Sequence, residues 1–197
     1  MRVIGIDPGS RRTGWAVVER ATPGFRVVAS GVIVTDVADT MPRRLAAIHE
    51  GLRATLLLHQ PDAAALEEIF AHKSVASALV LGQARGVAML AVASLPLSTY
   101  NANTIKKTVT GNGRAEKAQV TTMVAHHCRV EAPRLADEAD AIAIAITHLI
   151  FAGVATADRP PNPHAAVLEA AFGSRRKRGR DQWTEIARKA LAPSGGK

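Results

Sequence analysis

Short apolar runs bounded by turn residues alternate along this chain with stretches in which apolar residues recur every three or four positions. Val3 to Ile6 is the first run and stops at Asp7-Pro8-Gly9, a strand entering a turn. Trp15 to Val18 and Phe25 to Val34 are β-rich runs parted by Thr22-Pro23-Gly24, which predicts a three-stranded antiparallel meander. A helix follows, with Thr40 as N-cap, Pro42 in the first turn, and Leu45, Ile48, Leu52 and Leu56 at helical spacing. Pro61-Asp62 breaks the chain before a short run, Ala63 to Leu66, that ends at Glu67-Glu68. Ser74 to Ala93 reads as a long helix and Leu97 to Tyr100 as another short strand. Thr104 to Thr110 and Glu116 to His127 read as helices around Gly111-Asn112-Gly113, and Asp137 to Phe151 as a last helix closed by Gly153. Strands first, then strands alternating with helices, predict an α/β domain: a mixed β-sheet flanked by helices.

Composition sharpens this picture. Hydrophobic residues make up 47% of the 197 but aromatics only 4%, so the core is aliphatic and rich in alanine. The single cysteine, Cys128, excludes an intramolecular disulfide and a cysteine-rich zinc site. The N-terminal apolar run is too short for a signal-peptide core, and a soluble, cytoplasmic protein is expected. Ser74 to Ala93 has spanning length, but Ser77, Gln83 and Arg85 interrupt it, so no membrane segment is expected.

Lys and Arg number 25 against 17 Asp and Glu, a net charge of +8, which favours a polyanionic partner such as nucleic acid. The excess is uneven: residues 154–197 hold nine basic and four acidic residues, and residues 1–153 sixteen and thirteen. With the Pro-rich stretch at 158–163 between them, this predicts a domain over 1–153 and a basic, flexible extension over 154–197.

The candidate chemistry lies in acids at element ends. Asp7 and Glu67-Glu68 follow strands; Asp137 and Asp140 begin a helix and, three residues apart, share one face of it. Strand C-termini in α/β sheets open onto the ligand crevice, so acids distant in sequence can converge there. Carboxylates pressed together repel unless divalent cations neutralise them, and oxygen-only ligands suit Mg²⁺ or Mn²⁺. Each acid also has a plain structural reading, as a turn opener, a solvated strand end or a helix cap. His126-His127-Cys128 lacks a second ligand pair nearby, which favours a structural role over zinc; His148, among apolar residues, reads as a packed or rim histidine. Gly111-Asn112-Gly113 is not followed by Gly-Lys-Ser/Thr, so it is no P-loop, and it suits a turn near a DNA backbone.

The wording of five blocks resolves the ambiguity. Gly5-Ile6-Asp7-Pro8-Gly9-Ser10 with Thr13-Gly14-Trp15, Leu66 to Phe70, Leu81 to Gly86, Gly113 to Lys117 and Asp137 to Ala145 resemble, in order, the RuvC family of bacterial Holliday-junction resolvases. The resemblance covers about residues 1–152. It implies an RNase H-like fold, a homodimer, and metal-dependent cutting of four-way junction DNA that leaves 5′-phosphates. Asp7, Glu67 (rather than Glu68), Asp137 and Asp140 match the family's metal-binding acids, for two Mg²⁺ per site with Mn²⁺ as the alternative. Some relatives carry His at the position of Asp137. Lys117 matches a catalytic lysine, and Lys106, with Lys107 competing, a basic residue near the scissile strand. Phe70 matches an aromatic near the crossover; the DNA-contacting set expected is Phe70, Lys73, Lys106, Lys107, Arg114 and Lys117.

A helix apolar nearly all round needs cover on every face, and Gly82 and Gly86 would let a second helix approach closely. With the family's dimer, they are the expected interface. Docking of the family's RuvA–RuvB branch-migration complex stays open. A binding-only junction protein would lack the four acids, and an actin-like ATPase needs a second half for which 197 residues leave no room.

Overall fold

A computed structural model of the chain describes residues 1–68, 74–133 and 135–158. Phe70, Lys73 and most of the expected basic extension (159–197) lie outside them. The chain divides into two units, Met1–Val154 and Ala155–Lys197, and the site below lies wholly in the first.

Five strands form one sheet: β1 (Arg2–Asp7), β2 (Arg12–Arg20), β3 (Phe25–Val34), β4 (Ala63–Glu67) and β5 (Leu97–Tyr100), in the order β3-β2-β1-β4-β5. The first three are the antiparallel meander that the turn residues predict; β4 and β5 join in parallel. Helices α1 (Met41–His59), α2 (Val75–Ala91), α3 (Ala102–Thr110), α4 (Lys117–Cys128) and α5 (Ala136–Asp158) complete the described elements. This is an α/β, RNase H-like architecture.

Alternation along the strands sorts the core into two layers. Ile4 and Ile6 of β1 with Ala64 and Leu66 of β4 face α1 and α2. Val3 with Ala16, Ala63 and Ala65 faces α3, α4 and α5. That second face is lined by glycine and alanine, so α5 lies on the strand backbones themselves. A Cβ on Gly5 would overlap the Ala141 carbonyl oxygen and come 2.7 Å from the Ala145 nitrogen. Ser30 of β3 ties down the first turn of α5 by donating to Glu138 at 2.5 Å.

One expectation changes. Helix α5 does not stop at Gly153 but runs to Asp158. The Arg20 guanidinium donates to the Leu149 carbonyl and fills the space a side chain at 153 would need, so this glycine makes room for Arg20 instead of ending the helix. Helix α2 leaves one face uncovered among the described residues, as the expectation of a partner there requires. Ala84, Ala88 and Ala91 are buried, while Val75, Leu79 and Leu90 are exposed. A Cβ on Gly82 or Gly86 would meet nothing within 4 Å. No described helix is long and apolar enough to cross a membrane.

Candidate active site

Asp7 closes β1 and Glu67 closes β4, its parallel neighbour, one residue beyond the paired Ile6 and Leu66. Both belong to the odd-numbered positions whose earlier members, Val3, Ala63 and Ala65, face α5. Opposite Asp7 on β2 is Gly14, where a Cβ would overlap the Asp137 carbonyl oxygen. The missing side chain lets the first turn of α5 settle against the end of β1, carrying Asp137 and Asp140 toward Asp7.

Asp7, Glu67 and Asp140 line one cavity of about 310 Å³ with Lys106 and Lys117, and Ile105, Val120 and Ile144 form its apolar walls. Lys117 donates to Asp140 at 3.2 Å. Asp137 lies at the edge, its Oδ2 accepting from Arg12 Nε at 2.6 Å. Burial, then the charges of Asp140, Glu67 and Asp137, push the Asp7 carboxyl up to about 7, with Lys117 pulling it down. Burial and Asp140 raise Glu67 as well, against Lys117 and Lys106. Asp140 in turn raises the Lys117 ammonium, so that lysine stays charged.

A set of part-buried carboxylates that raise one another's proton affinity fits a hard divalent cation. Among the described residues no three acidic, His or Cys side chains are drawn within reach of a single ion. Like charges keep them apart, and Asp137 and Asp140 turn instead to Arg12 and Lys117. Asp7, Glu67 and Asp140 would hold the cation, with Asp137 joining from the edge.

The adjacent glutamate points elsewhere. Glu68 accepts from the Thr99 hydroxyl at 3.0 Å and does not line the cavity. Glu67→Gln is therefore expected to lower single-turnover cleavage by about a hundredfold and Glu68→Gln by less than about threefold. The reverse order would move the site to Glu68.

The two candidate lysines of α3 also separate. Lys106 faces the acids, while Lys107 joins Asn103, Thr104, Asn112, Gly113 and Arg114 around a second, more open cavity of about 550 Å³. Gly111 caps α3 at φ 79°, a conformation that favours glycine, and Asn112 Oδ1 accepts from the Arg114 amide, so this loop is a tight turn. The histidines are structural: His127 Nε2 meets the Val109 carbonyl at 2.9 Å, and His148 Nδ1 meets the Tyr100 hydroxyl at 3.0 Å.

Two site neighbours escaped the sequence reading. Arg12 shares the even-numbered face of β2 with Gly14 and Ala16, so alternation alone placed it toward α5. Arg85 of α2 donates to the Glu67 carbonyl at 3.3 Å, a contact that no sequence pattern signals.

Comparison with known proteins identifies the family. The sequence profile of the family described as "Crossover junction endodeoxyribonuclease RuvC" matches residues 3–148. The proteins so named from Methylorubrum populi and Methylocella silvestris are 45% and 47% identical over 161 and 150 residues, covering 81% and 75% of this chain and 85% of each relative. Thermus thermophilus RuvC, solved in complex with Holliday junction substrate, superposes with a TM-score of 0.75 at 33% identity, over 79% of this chain and 97% of that one. With a profile spanning most of the domain and relatives this similar, the chain belongs to the RuvC family of crossover junction endodeoxyribonucleases.

Proposed function

We propose that this chain resolves four-way DNA junctions by hydrolysing phosphodiesters at the Asp7–Glu67–Asp140 cavity, leaving 5′-phosphate and 3′-hydroxyl ends. The observation that carries this is the meeting, on a RuvC fold, of three carboxylates with two lysines in one cavity. Nucleases of this family are metal-dependent, and for this chain the ions are two Mg²⁺, with Mn²⁺ as the alternative. Bound there, divalent cations supply an activated water and neutralise charge at the scissile phosphate. The chain's own residues do the rest. Asp7, Glu67, Asp137 and Asp140 hold negative charge at fixed points of a rigid sheet and helix. Lys117, kept cationic beside Asp140, meets the charge that grows on the phosphate oxygens. Lys106 and Lys107 with Arg114 offer cations to the flanking backbone, which positions a strand without reading its sequence. The nine basic residues among 154–197 add charge of the same non-specific kind to a nuclease domain over 1–153.

Incubating the protein with a labelled four-way junction, with and without Mg²⁺, tests the reading. Cutting of the junction over plain duplex, only with the ion, is expected. Binding without cutting in Mg²⁺ and in Mn²⁺ would overturn it.

Paired cuts on two like strands call for two sites related by a two-fold axis, hence a homodimer. The exposed face of α2, with Leu79 and Leu90 beside Gly82 and Gly86, supports placing the interface there. Among the described residues Gly86→Leu points into open space, so the subunit is expected to fold normally and light scattering to report monomers. Paired nicking is lost first. A Gly86→Leu protein that stays dimeric would put the interface elsewhere.

A further inference from the structure

The acid set is not equally available to a cation. Asp7, Glu67 and Asp140 line the cavity, Asp140 with one oxygen on Lys117 at 3.2 Å, whereas Asp137 is outside that lining and has one carboxylate oxygen taken by the Arg12 guanidinium at the shorter 2.6 Å. We propose that Arg12 is a positioning residue that competes with the divalent cation for Asp137, so that it sets the ion concentration at which the fourth carboxylate joins the site. The inference rests on the metal reading of the cavity given above.

The contact is built from several fixed parts. Arg12 begins β2, immediately after the turn that follows Asp7, and this turn is held from three directions. The buried Thr35 donates its hydroxyl to the Ser10 carbonyl at 2.7 Å and its amide to the Arg11 carbonyl at 3.0 Å. Arg44 of α1 donates to the same Ser10 carbonyl at 2.5 Å. Thr13 closes the turn by donating to the Gly9 carbonyl at 2.8 Å. The backbone that carries the guanidinium is thus pinned, and Gly14 pins the helix turn that carries Asp137. The two backbones thus keep the side chains within reach of each other.

The direction of the effect follows from charge. A carboxylate in a charge-assisted hydrogen bond offers less negative potential to a second cation, and its bonded oxygen must be shared or released before it can serve as a ligand. The side chains of Arg12 and Asp137 are 43% and 29% exposed, so the competition is moderate. Removing the guanidinium is expected to lower the half-saturating ion concentration by about two- to fivefold, the range of a partly exposed ion pair.

The test is calorimetric titration of the full-length protein with Mg²⁺ alone, and separately Mn²⁺ alone, without DNA. Arg12→Ala is expected to bind the ion about two- to fivefold more tightly than wild type. Arg12→Gln, which keeps the chain length and a hydrogen bond but drops the charge, moves the same way and covers a loss of folding in Arg12→Ala. Arg11→Ala, which removes an equal charge one residue away, leaves the affinity nearly unchanged. In an Asp137→Asn background, Arg12→Ala has no effect. Affinity unchanged or weakened in Arg12→Ala and Arg12→Gln, or an equal gain in Arg11→Ala, would overturn the proposal. Asp7→Asn separates the two levels of argument. If it abolishes ion binding while Arg12→Ala changes nothing, only the role of Arg12 falls; if it leaves binding intact, the metal site falls and this inference with it.

Discussion

Asp7→Asn is expected to lower cleavage by about a hundredfold or more while leaving junction binding in place, because it removes one charge of the metal set without changing shape. Residual cutting above about a tenth of wild type would remove Asp7 from the primary ligands. The same substitution should stabilise the protein when no ion is bound. The Asp7 carboxyl is held near 7 in the folded chain against 3.8 as its ordinary value. Between those values the folded protein keeps a proton that the unfolded chain has released. The contribution to stability is therefore full below the lower value and is lost as pH rises through the upper one. In chelator at pH 8, Asp7→Asn should melt above wild type, by roughly 1–4 kcal/mol of unfolding free energy, and near pH 3 the two should converge. A wild type whose advantage grows with pH would contradict the crowding of acids around Asp7. A cation and that proton compete for the same carboxylate, so the half-saturating ion concentration should fall as pH rises toward 7.

Gly14→Ala should do nearly as much damage from outside the acid set. Its Cβ would overlap the Asp137 carbonyl oxygen and lie 3.2 Å from the Asp137 Cβ. The first of these is backbone and cannot swing aside, so the first turn of α5 must lift from β2. Overpacking of this kind costs about 1–3 kcal/mol in stability. The larger effect is on catalysis, since a shift of about 1 Å in Asp137 and Asp140 suffices for a hundredfold loss. Thermal melting and single-turnover cleavage of Gly14→Ala should show a modest loss in the first and a large loss in the second. Unimpaired cleavage would mean that the placement of α5 does not govern the chemistry.

The sequence carried the local part of this structure well. The short apolar runs of β1 and β4 and the turn at Asp7-Pro8-Gly9 place Asp7 and Glu67 at strand ends, and the spacing of Asp137 and Asp140 places both on one face of α5. What it could not supply was long-range. Arg12 meets an acid 125 residues away, and Arg20 crosses to α5 from 129 residues off, so neither partner is visible in a local window. Gly153 misled for that reason: a glycine near a helix end usually stops it, but here it admits an arginine from another element. Helix α2 was legible to the same depth: its all-round apolar composition calls for cover beyond the sheet, and among the described residues only its alanine face is covered.

The sheet also works as a partition. The chemistry lies on the face that carries α3, α4 and α5, and the uncovered helix α2 packs on the other. Glu67 sits where the partition is thinnest: its carboxylate opens into the cavity, while its main-chain oxygen is gripped from the far side by Arg85, midway along α2. Whatever seats against the outer surface of α2 therefore presses on a rod whose inner side holds Glu67, one of the proposed cation ligands, by the backbone. In the proposed dimer, the interface and the cavity are one side chain apart.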